Sequence, residues 1–541
     1  MNEIARVDNA RPDAEFDLLV IGGGITGAGI ALDAASRGLR TILVERGDFA
    51  AGTSSRSSKL VHGGLRYLEQ LSLGLMYESI SERHLLTRLA PGLVRWRPFL
   101  LPSFRGKGRK WKANLGLWLY DHLARAPEEL RHRRLARGEA LQLAPGLRND
   151  GLQGGARFYD CVTDDARLVL SIVLDAQARG ARVHNYAAVE EVVREGGRAA
   201  GARLRDMLTG AAWEVRARQV VSATGPWTDG TLELAGEAAD EKRILPAKGV
   251  HIVLPRGRLE LGSVVMIPSA RDRRSLFVIP WYEGILVGTT DTDYAAGPDA
   301  VRPEAEDVDY ILAALDWAFP SARVSREDVV SSYAGVRPLV NAPGRSTTDV
   351  PREYRIFEGA SGMLSVAGGK LTTYRRMARV VVDRVVRRLR REGRDRPVLP
   401  CWTHRISIGS PPEDGFDAFR GVDLPEAVRA HLVADYGLWS RQIVSILEVH
   451  PEWARPMADG LPYILAEAYF AAAREKARTL TDVLARRTRV ALLARDQGRA
   501  CADEVSRILA QELAWSEEER ARQLAEYLRV LREELRGGSV L

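Results

Sequence analysis

Three glycines near the start of the chain have the spacing of a phosphate-binding turn. Gly22, Gly24 and Gly27 follow the apolar run LLVI at residues 18–21, in the pattern G-x-G-x-x-G. In such a turn the first glycine permits a sharp bend, and the second lets a pyrophosphate approach the backbone. The third lets a helix pack against the preceding strand. The spacing therefore predicts a site for the phosphates of a dinucleotide.

The elements around this turn have the order that such a site requires. Residues 18–21 predict a buried strand, residues 28–36 a helix and residues 40–44 a second strand. The second strand ends at Glu45, about twenty residues beyond the glycines, where a carboxylate can bind ribose hydroxyls. A glycine triplet alone could be an ordinary turn, but the complete order favours a Rossmann-like unit. It does not separate FAD from NAD.

The next segment, residues 53–69, reads TSSRSSKLVHGGLRYLE and is rich in hydroxyl groups. The hydroxyls can hydrogen-bond to phosphates and to the edge of a flavin, and two adjacent glycines can let the backbone approach a flat ring. This composition favours FAD as the dinucleotide. The residues concerned are Thr53, Ser54, Ser55, Ser57, Ser58, Gly63 and Gly64.

A second glycine-rich turn, GGKLTTY, lies late in the chain at residues 368–374, before an arginine-rich helix. Small residues before a helix start commonly bring a negative group onto backbone N–H donors. The N–H groups near Leu371 and Thr372, together with the helix dipole, could stabilise negative charge on a bound group. The alternative is a glycine-rich strand end with Lys370 in solvent.

Composition limits the class of protein. The 541 residues predict two or three domains, and 45% hydrophobic with 28% charged residues indicates a globular chain. The net charge of +7 suggests an anionic partner, although an arginine-rich surface could also be merely solvated. No nucleic-acid module is recognised. Cys161, Cys401 and Cys501 lack metal spacing, so we expect no disulfide framework, zinc site or iron–sulfur cluster.

We expect an α/β fold, α+β overall, in three parts. A discontinuous FAD-binding domain is predicted from about residues 14–80, 150–240 and 335–390. Insertions at about 81–149, which read as helical, and 241–334, a mostly antiparallel sheet, are predicted to bind substrate. A linker at 390–400 then leads to a C-terminal helical domain at 401–541. No secretory signal or membrane-spanning segment is expected.

Several motifs resemble the FAD-dependent, quinone-reducing glycerol-3-phosphate dehydrogenases, a family within the D-amino-acid-oxidase-like flavoproteins. Besides the segments above they are YDCVTDDARLVL (159–170), VSATGPW (221–227), KGVHIVLP (248–255), FVIPW (277–281), VGTTDTDY (287–294), YAGVRPL (333–339) and DVLARRTRVALL (482–493). One departure is Thr26, where the family often has asparagine. The absence of a cysteine cluster disfavours the iron–sulfur-linked anaerobic relative.

The resemblance implies FAD as cofactor and no metal. It implies oxidation of sn-glycerol 3-phosphate to dihydroxyacetone phosphate by hydride transfer from C2 to flavin N5. The residues expected to bind FAD are Gly22, Gly24, Ile25, Thr26, Gly27, Glu45, Thr53, Ser54, Ser55, Ser58, Lys59, Leu60, His62, Gly63, Gly64, Val189, Ala223, Gly225, Gly369, Lys370, Leu371 and Thr372.

The substrate site is likewise implied by the resemblance. Arginines suit a phosphate dianion because the guanidinium fork gives parallel charge-assisted hydrogen bonds. Substrate contacts are expected from Arg66, Tyr67, His251, Thr290, Arg337 and Lys370, with His251, Arg337 and Lys370 as catalytic groups. His251 is a candidate base for the hydroxyl proton, but a cationic site could instead lower the pKa of the alcohol. Thr290 and Asp291 could also act by orienting these groups.

The resemblance also implies a quinone acceptor and peripheral attachment to the inner face of the cytoplasmic membrane, and it allows a homodimer. Residues 104–125 have a basic start followed by Trp111, Leu115, Trp118 and Leu119 on one helix face, typical of an interfacial helix. The alternative is that this helix packs in a core. Other functions left open are an oxidase that uses oxygen and a non-catalytic flavin-binding protein.

Overall fold

The computed structural model describes residues 15–64, 73–105, 110–124, 127–237, 242–269, 271–272, 274–342, 350, 353–394, 396–409, 419 and 421–538. The strands, numbered in chain order, are β1 Phe16–Ile21, β2 Thr41–Val44, β3 Leu60–Val61, β4 Val94–Phe104, β5 Arg133–Leu135, β6 Leu152–Thr163, β7 Arg182–His184, β8 Ala187–Glu195, β9 Arg198–Asp206, β10 Ala212–Ser222, β11 Ile244–Pro255, β12 Val264–Pro268, β13 Ser275–Trp281, β14 Gly284–Gly288, β15 Thr292–Asp293, β16 Ser331–Val340, β17 Tyr354–Glu358 and β18 Leu364–Gly368. The helices are α1 Ile25–Ser36, α2 Leu73–Leu89, α3 Lys110–Ala124, α4 Arg137–Leu143, α5 Asp165–Ala178, α6 Thr228–Leu234, α7 Ala305–Ala318, α8 Tyr374–Arg391, α9 Glu426–Tyr436, α10 Ser440–Val449, α11 Ala466–Arg474, α12 Val490–Leu493, α13 Arg499–Leu513 and α14 Glu517–Glu533.

The first sheet has the strand order β17-β18-β10-β1-β2-β7, with β8 and β9 attached beside β10. β1 pairs in parallel with β2 and β10, and β10 pairs in parallel with β18. All six residues of β1 are buried, which explains its apolar sequence, because a parallel strand is covered on both faces. The carboxyl ends of these four strands meet at one edge of the sheet. The predicted Rossmann-like unit is confirmed.

Helix α8 has a buried valine face and a charged outer face. Val381, Val385 and Val386 are buried. The helix packs against α1, where the Tyr374 ring lies over Gly29. Because α8 follows β18 directly, this packing fixes where the helix begins at the edge of the first sheet.

The second sheet is mostly antiparallel and has the order β15-β11-β14-β13-β12-β4-β6-β3, with β16 paired to β11 and β5 to β6. The register of β11 and β16 places His251 opposite Tyr333 and Ala247 opposite Arg337. One expectation was wrong: the insertion after residue 81 is not helical throughout, since β4 is a strand of this sheet. Pro98 and Pro102 argue against a strand locally, but pairing with β6 overrides that preference.

The C-terminal part is helical, as expected, and shares a hydrophobic core with the second sheet. Leu60, Trp281 and Tyr333 belong to the same buried cluster as Tyr463 and Leu484. The helices from α9 to α14 therefore stabilise the sheet that carries His251 and Arg337.

Within the described ranges no helix is long and apolar enough to span a bilayer. The same part of the chain contains no cluster of histidine, cysteine and carboxylate side chains able to hold a metal ion.

Candidate active site

A cavity of about 740 Å³ opens where the parallel strands of the first sheet end. Gly22 follows β1, Glu45 follows β2, Ala223 follows β10 and Gly369 follows β18, and all four residues line the cavity. The opposite wall comes from β11 and β16 of the second sheet. The cavity therefore lies at the crevice outside the carboxyl ends of parallel strands, where open α/β folds bind their ligands.

The glycine turn forms a cradle whose first and third glycines lie too close to neighbouring backbone to carry a side chain. Gly22 has a φ of +106°, and a Cβ at this position would come within 2.7 Å of the Ala223 carbonyl oxygen. A Cβ at Gly27 would overlap the carbonyl oxygen of Gly22. The Ile25 N–H at the start of α1 donates to the Ser54 hydroxyl at 3.0 Å. These features fit a pyrophosphate held against the backbone.

Glu45 lies at the second strand end, as the motif predicts. Its carboxylate accepts the N–H of Gly23 at 2.6 Å and the N–H of Gly47 at 2.8 Å. Burial raises the pKa of Glu45. Each carboxylate oxygen has a further lone pair, so the group can still accept a hydrogen bond from a ribose hydroxyl. The cradle and this carboxylate together fit the adenosine diphosphate half of FAD.

His251 lies on the opposite wall and is only 2% exposed. Its Nε2 is 2.8 Å from the Ser58 hydroxyl, and its ring stacks on Tyr333 with 5.1 Å between centroids. The Nδ1 atom is buried and has no hydrogen-bond partner among the residues described. Burial, with the charges of Arg337 and Lys59, lowers the pKa of His251 well below its usual value. The ring is therefore neutral at neutral pH and can accept a proton.

Arg337 reaches the cavity with its guanidinium already oriented by the protein. Nη1 donates to Asp291 at 2.9 Å, and Nη2 donates to the Thr289 hydroxyl at 3.0 Å and to the Thr290 carbonyl at 3.1 Å. The group packs so closely that a Cβ on Gly249 would collide with it. Arg337 thus supplies a fixed positive charge rather than a freely rotating fork. Asp291 and Thr290 act as orienting groups.

The late glycine turn brings a helix start to the cavity. Gly368 and Gly369 both have a φ of +78°, which allows the sharp turn after β18. Leu371 and Thr372 line the cavity and begin the helical turn that leads into α8. The first N–H groups of a helix have no intrahelical acceptor, so they can donate to an anion here. The Lys370 ammonium is 3.4 Å from the Ser79 hydroxyl.

Most residues predicted from the sequence are brought together by this cavity. Those that line it are Gly22, Gly24, Ile25, Thr26, Glu45, Thr53, Ser54, Ser58, Leu60, His62, Val189, Ala223, Gly225, His251, Arg337, Gly369, Lys370, Leu371 and Thr372. Arg66 and Tyr67 fall outside the described residues.

The remaining predicted residues do not line the cavity: Gly27, Ser55, Lys59, Gly63, Gly64 and Thr290. The Lys59 ammonium is buried against Asp165 at 2.6 Å, so its charge points away from the site. The Thr290 hydroxyl accepts the Val250 N–H at 2.9 Å and is 4% exposed. The Gly63 N–H donates to Asp160 and to Tyr120, both at 3.1 Å. These residues support the cavity wall from behind.

The sequence did not single out several residues that line the cavity. Arg46 pairs with Asp299, and the Trp227 indole N–H donates to the same carboxylate at 3.0 Å. Arg56 pairs with Glu534 at 2.6 Å. Trp227 lies in the motif VSATGPW and could have been noticed there, whereas the two ion pairs join distant segments and leave no local signal.

A pH effect on stability follows from His184, which ends β7 beside the cavity-forming strand β2. Burial, with Lys476 and Arg182 nearby, lowers the pKa of His184 to about 4. The unfolded chain binds a proton near the usual value, so this contribution to stability is complete above about pH 6.5 and is lost as the pH falls towards the folded pKa. We expect the His184→Gln variant to lose less thermal stability than the parent between about pH 6.5 and about pH 4. Equal losses in thermal unfolding midpoint would contradict this assignment.

Comparisons with known proteins agree with this architecture. A family model described as FAD-dependent oxidoreductase matches residues 17–375, and one described as the C-terminal domain of alpha-glycerophosphate oxidase matches residues 401–520. The glycerol-3-phosphate dehydrogenase 2 of Mycobacterium tuberculosis is 39% identical over 527 residues, covering 95% of this chain and 88% of that protein. The aerobic glycerol-3-phosphate dehydrogenase of Staphylococcus epidermidis is 36% identical over 491 residues, covering 88% of this chain and 87% of that protein.

Among solved structures, the chain is similar to the glycerol-3-phosphate dehydrogenase of Bacillus halodurans complexed with FAD. The TM-score is 0.77 with 33% sequence identity, and the match covers 96% of this chain and 95% of that chain. The L-alpha-glycerophosphate oxidase of Mycoplasma pneumoniae with FAD bound has a TM-score of 0.56 at 18% identity and covers 69% of this chain and 95% of that chain, which shows a shared fold.

Proposed function

This chain belongs to the family of FAD-dependent glycerol-3-phosphate dehydrogenases, and we propose that it oxidises sn-glycerol 3-phosphate to dihydroxyacetone phosphate and passes the electrons to a membrane quinone. The observation that carries the proposal is the pairing of the two cavity walls. One wall is the FAD cradle of the first sheet, and the other holds neutral His251 and cationic Arg337.

The FAD wall has the groups that the redox step needs. When bound, FAD supplies a hydride acceptor at N5. The N–H groups of Leu371 and Thr372 and the dipole of α8 stabilise negative charge at the adjoining edge of the cavity. In the opposite wall, Gly249 leaves room for the Arg337 guanidinium, because a Cβ at this position would collide with it.

The proton that leaves the C2 hydroxyl requires an acceptor in the same place. His251 is uncharged and is held in place by Ser58 and Tyr333, so an unprotonated ring nitrogen is available for this proton. The fixed charge of Arg337 favours an alkoxide and so assists the same step. The phosphate of the substrate is assigned to the cations at this end, Arg337 and Lys370, together with Arg66 and Tyr67 outside the described residues.

The test is anaerobic addition of glycerol 3-phosphate to the purified yellow protein. Bleaching of the flavin absorbance, followed by recovery when a quinone analogue is added, is the expected result. A flavin that stays oxidised with glycerol 3-phosphate would overturn the proposed substrate. If the flavin absorbance recovers with oxygen and peroxide is produced, but quinone has no effect, the protein is an oxidase. This alternative is tested because the family model that matches residues 401–520 is described from an oxidase.

Attachment to the membrane is assigned to the region of α3. In the described half of this helix Leu117 and Tyr120 are buried, whereas Trp118 is 56% exposed. Tyr77 on the neighbouring helix α2 is 55% exposed. Lys107 and Arg109 lie outside the described residues. Exposed aromatic rings beside a basic segment are typical of a surface that rests on lipid headgroups.

Neutralising the basic segment should release the protein from anionic membranes. We expect the variant with glutamine at Lys107, Arg109, Lys110 and Lys112 to bind anionic liposomes at least about tenfold more weakly in a sedimentation assay, because each cation near the surface contributes about 1 kcal/mol.

A matched control replaces four exposed arginines by glutamine and so changes the net charge equally. Three lie in β9 and one in β10: Arg198, Arg203, Arg205 and Arg216. That variant should keep its liposome binding. Equal binding by both variants and the parent would discard the α3 region as the anchor.

A further inference from the structure

Three arginines of the C-terminal part, two of them fully buried, bind carboxylates near the FAD cradle. We call Arg486, Arg487 and Arg489 the arginine triplet; they belong to the motif DVLARRTRVALL. Arg487 and Arg486 both bind Asp48, with Arg487 Nη2 at 2.8 Å from Oδ1 and Arg486 Nε at 2.5 Å from Oδ2. The Asp48 carboxylate has no exposed surface. This cluster joins segments more than four hundred residues apart in the sequence.

Asp48 is the second residue of a segment that lines the cavity, residues 47–59, which we call the cofactor loop. Its members that line the cavity are Gly47, Ala50, Ala51, Gly52, Thr53, Ser54, Arg56, Ser57 and Ser58. The Ala50 N–H donates to the Gly23 carbonyl at 3.1 Å, so the loop also contacts the glycine turn. Any displacement of Asp48 is therefore transmitted to the groups assigned to FAD.

The cofactor loop contains two strained positions. Ala50 has a φ of +64° and Lys59 a φ of +55°, a region that residues other than glycine rarely occupy. Such conformations persist only when surrounding contacts hold them. Ala50 is two residues from Asp48, and the Lys59 ammonium is bound to Asp165.

The arginine triplet also acts on the far end of the loop through the start of α5. Arg489 binds Asp164, whose carboxylate accepts the Arg167 N–H at 2.9 Å and so caps the helix. The next residue, Asp165, accepts the N–H of Ser57 at 3.1 Å and its hydroxyl at 2.7 Å. The turn formed by Asp164 and Asp165 therefore connects Arg489 to the cofactor loop.

A third anchor lies at the end of the chain. Glu534, directly after α14, pairs with Arg56 at 2.6 Å, and Arg56 also donates to the Ala334 carbonyl at 3.3 Å. The C-terminal part thus holds the cofactor loop near its start at Asp48, directly near its end at Arg56, and through Asp164 and Asp165 at Ser57.

We propose that the C-terminal helical part is a clamp on the cofactor loop, and that Arg486, Arg487 and Arg489 are positioning residues for FAD binding. Burial would raise the pKa of Asp48, but Arg487 and Arg486 hold it below its usual value, so the carboxylate stays charged. Without Arg487 the buried Asp48 charge keeps Arg486 as a cationic partner but loses part of its compensation, which favours movement of the carboxylate towards water. The loop then leaves the conformation that binds FAD, and affinity falls with the fraction of protein that remains competent.

The test measures FAD release from the full-length holoprotein, without any substrate, by dilution, ultrafiltration and flavin fluorescence. The Arg487→Met variant should raise the dissociation constant of FAD at least about tenfold and alter the visible circular dichroism of the bound flavin. The double variant Asp48→Asn/Arg487→Met, which leaves no unpaired charge on Asp48, should recover part of the affinity. The control is Arg520→Met, which removes ion pairs to Asp503 and Glu517 inside the C-terminal part. It should keep FAD affinity at the parental value.

A merely structural role predicts a different result. The Arg487→Met variant would then have a lower thermal unfolding midpoint but an unchanged FAD dissociation constant and flavin spectrum, and the proposal would be wrong. If Arg487→Met does not fold, Arg487→Lys and Glu534→Gln decide the question, because the first retains the charge and the second removes only the anchor at Arg56. Parental FAD affinity in both would overturn the clamp. Since the readout is FAD binding alone, a failure here is distinct from a failure of the proposed substrate.

Discussion

Replacing His251 by asparagine is expected to slow flavin reduction by glycerol 3-phosphate about 10²–10⁴-fold, the usual contribution of a general base. Asparagine can still hydrogen-bond to Ser58, but it cannot accept a proton at neutral pH. The measurement is the rate of anaerobic flavin bleaching under stopped flow. FAD should remain bound, because His251 lies on the wall opposite the glycine cradle.

A second histidine of lowered pKa, the half-buried His184, provides the control. His184→Gln removes an imidazole of lowered pKa that does not line the cavity, so the rate of reduction should equal that of the parent. The pH profile adds an independent check. Because the pKa of His251 is well below its usual value, kcat/KM should be flat near neutrality and decline only in acid. A His251→Asn variant that reduces its flavin at the parental rate would exclude His251 as the base.

The part of the fold that is coded locally could be predicted from the sequence. The strand, glycine turn, helix and second strand up to Glu45 each depend on neighbours within a few residues, and the structure contains them in that order. The late turn at Gly368 and Gly369 was predictable for the same reason. β4 was not, since its prolines argue against a strand and only pairing with β6 makes it one.

The same distinction between local signals and contacts with distant segments applies to the site residues. Glu45 and Leu371 line the cavity because a strand end and a helix start position them, and both signals are local. Lys59 was expected beside the flavin, but its partner Asp165 is 106 residues away and turns the ammonium into the core. The sequence around Asp48 contains no pattern that predicts its contact with Arg487. Buried ion pairs between distant segments have no spacing rule, so the sequence could not show that the C-terminal part supports the cofactor loop.

The second large effect is expected at Arg337. Arg337→Met should lower kcat/KM for glycerol 3-phosphate about 10²–10³-fold, because removing one partner of a buried charge contact costs roughly 3–4 kcal/mol. Arg337→Lys keeps the charge but cannot reach Asp291, Thr289 and Thr290 together, so it should lose about tenfold or more. Steady-state kinetics measure both, and flavin content shows whether the fold is retained.

Arg337 also acts on His251, which makes its substitution distinguishable from simple loss of binding. The positive charge of Arg337 contributes to the low pKa of His251, after burial. Removing that charge should raise the pKa, so the acid limb of the kcat/KM profile should move to higher pH in Arg337→Met. Arg258→Met provides the control, since Arg258 follows β11 but pairs with Asp328 and does not line the cavity. Its profile should match the parent. An Arg337→Met variant with parental kcat/KM and an unmoved acid limb would remove Arg337 from both the phosphate site and the proton transfer.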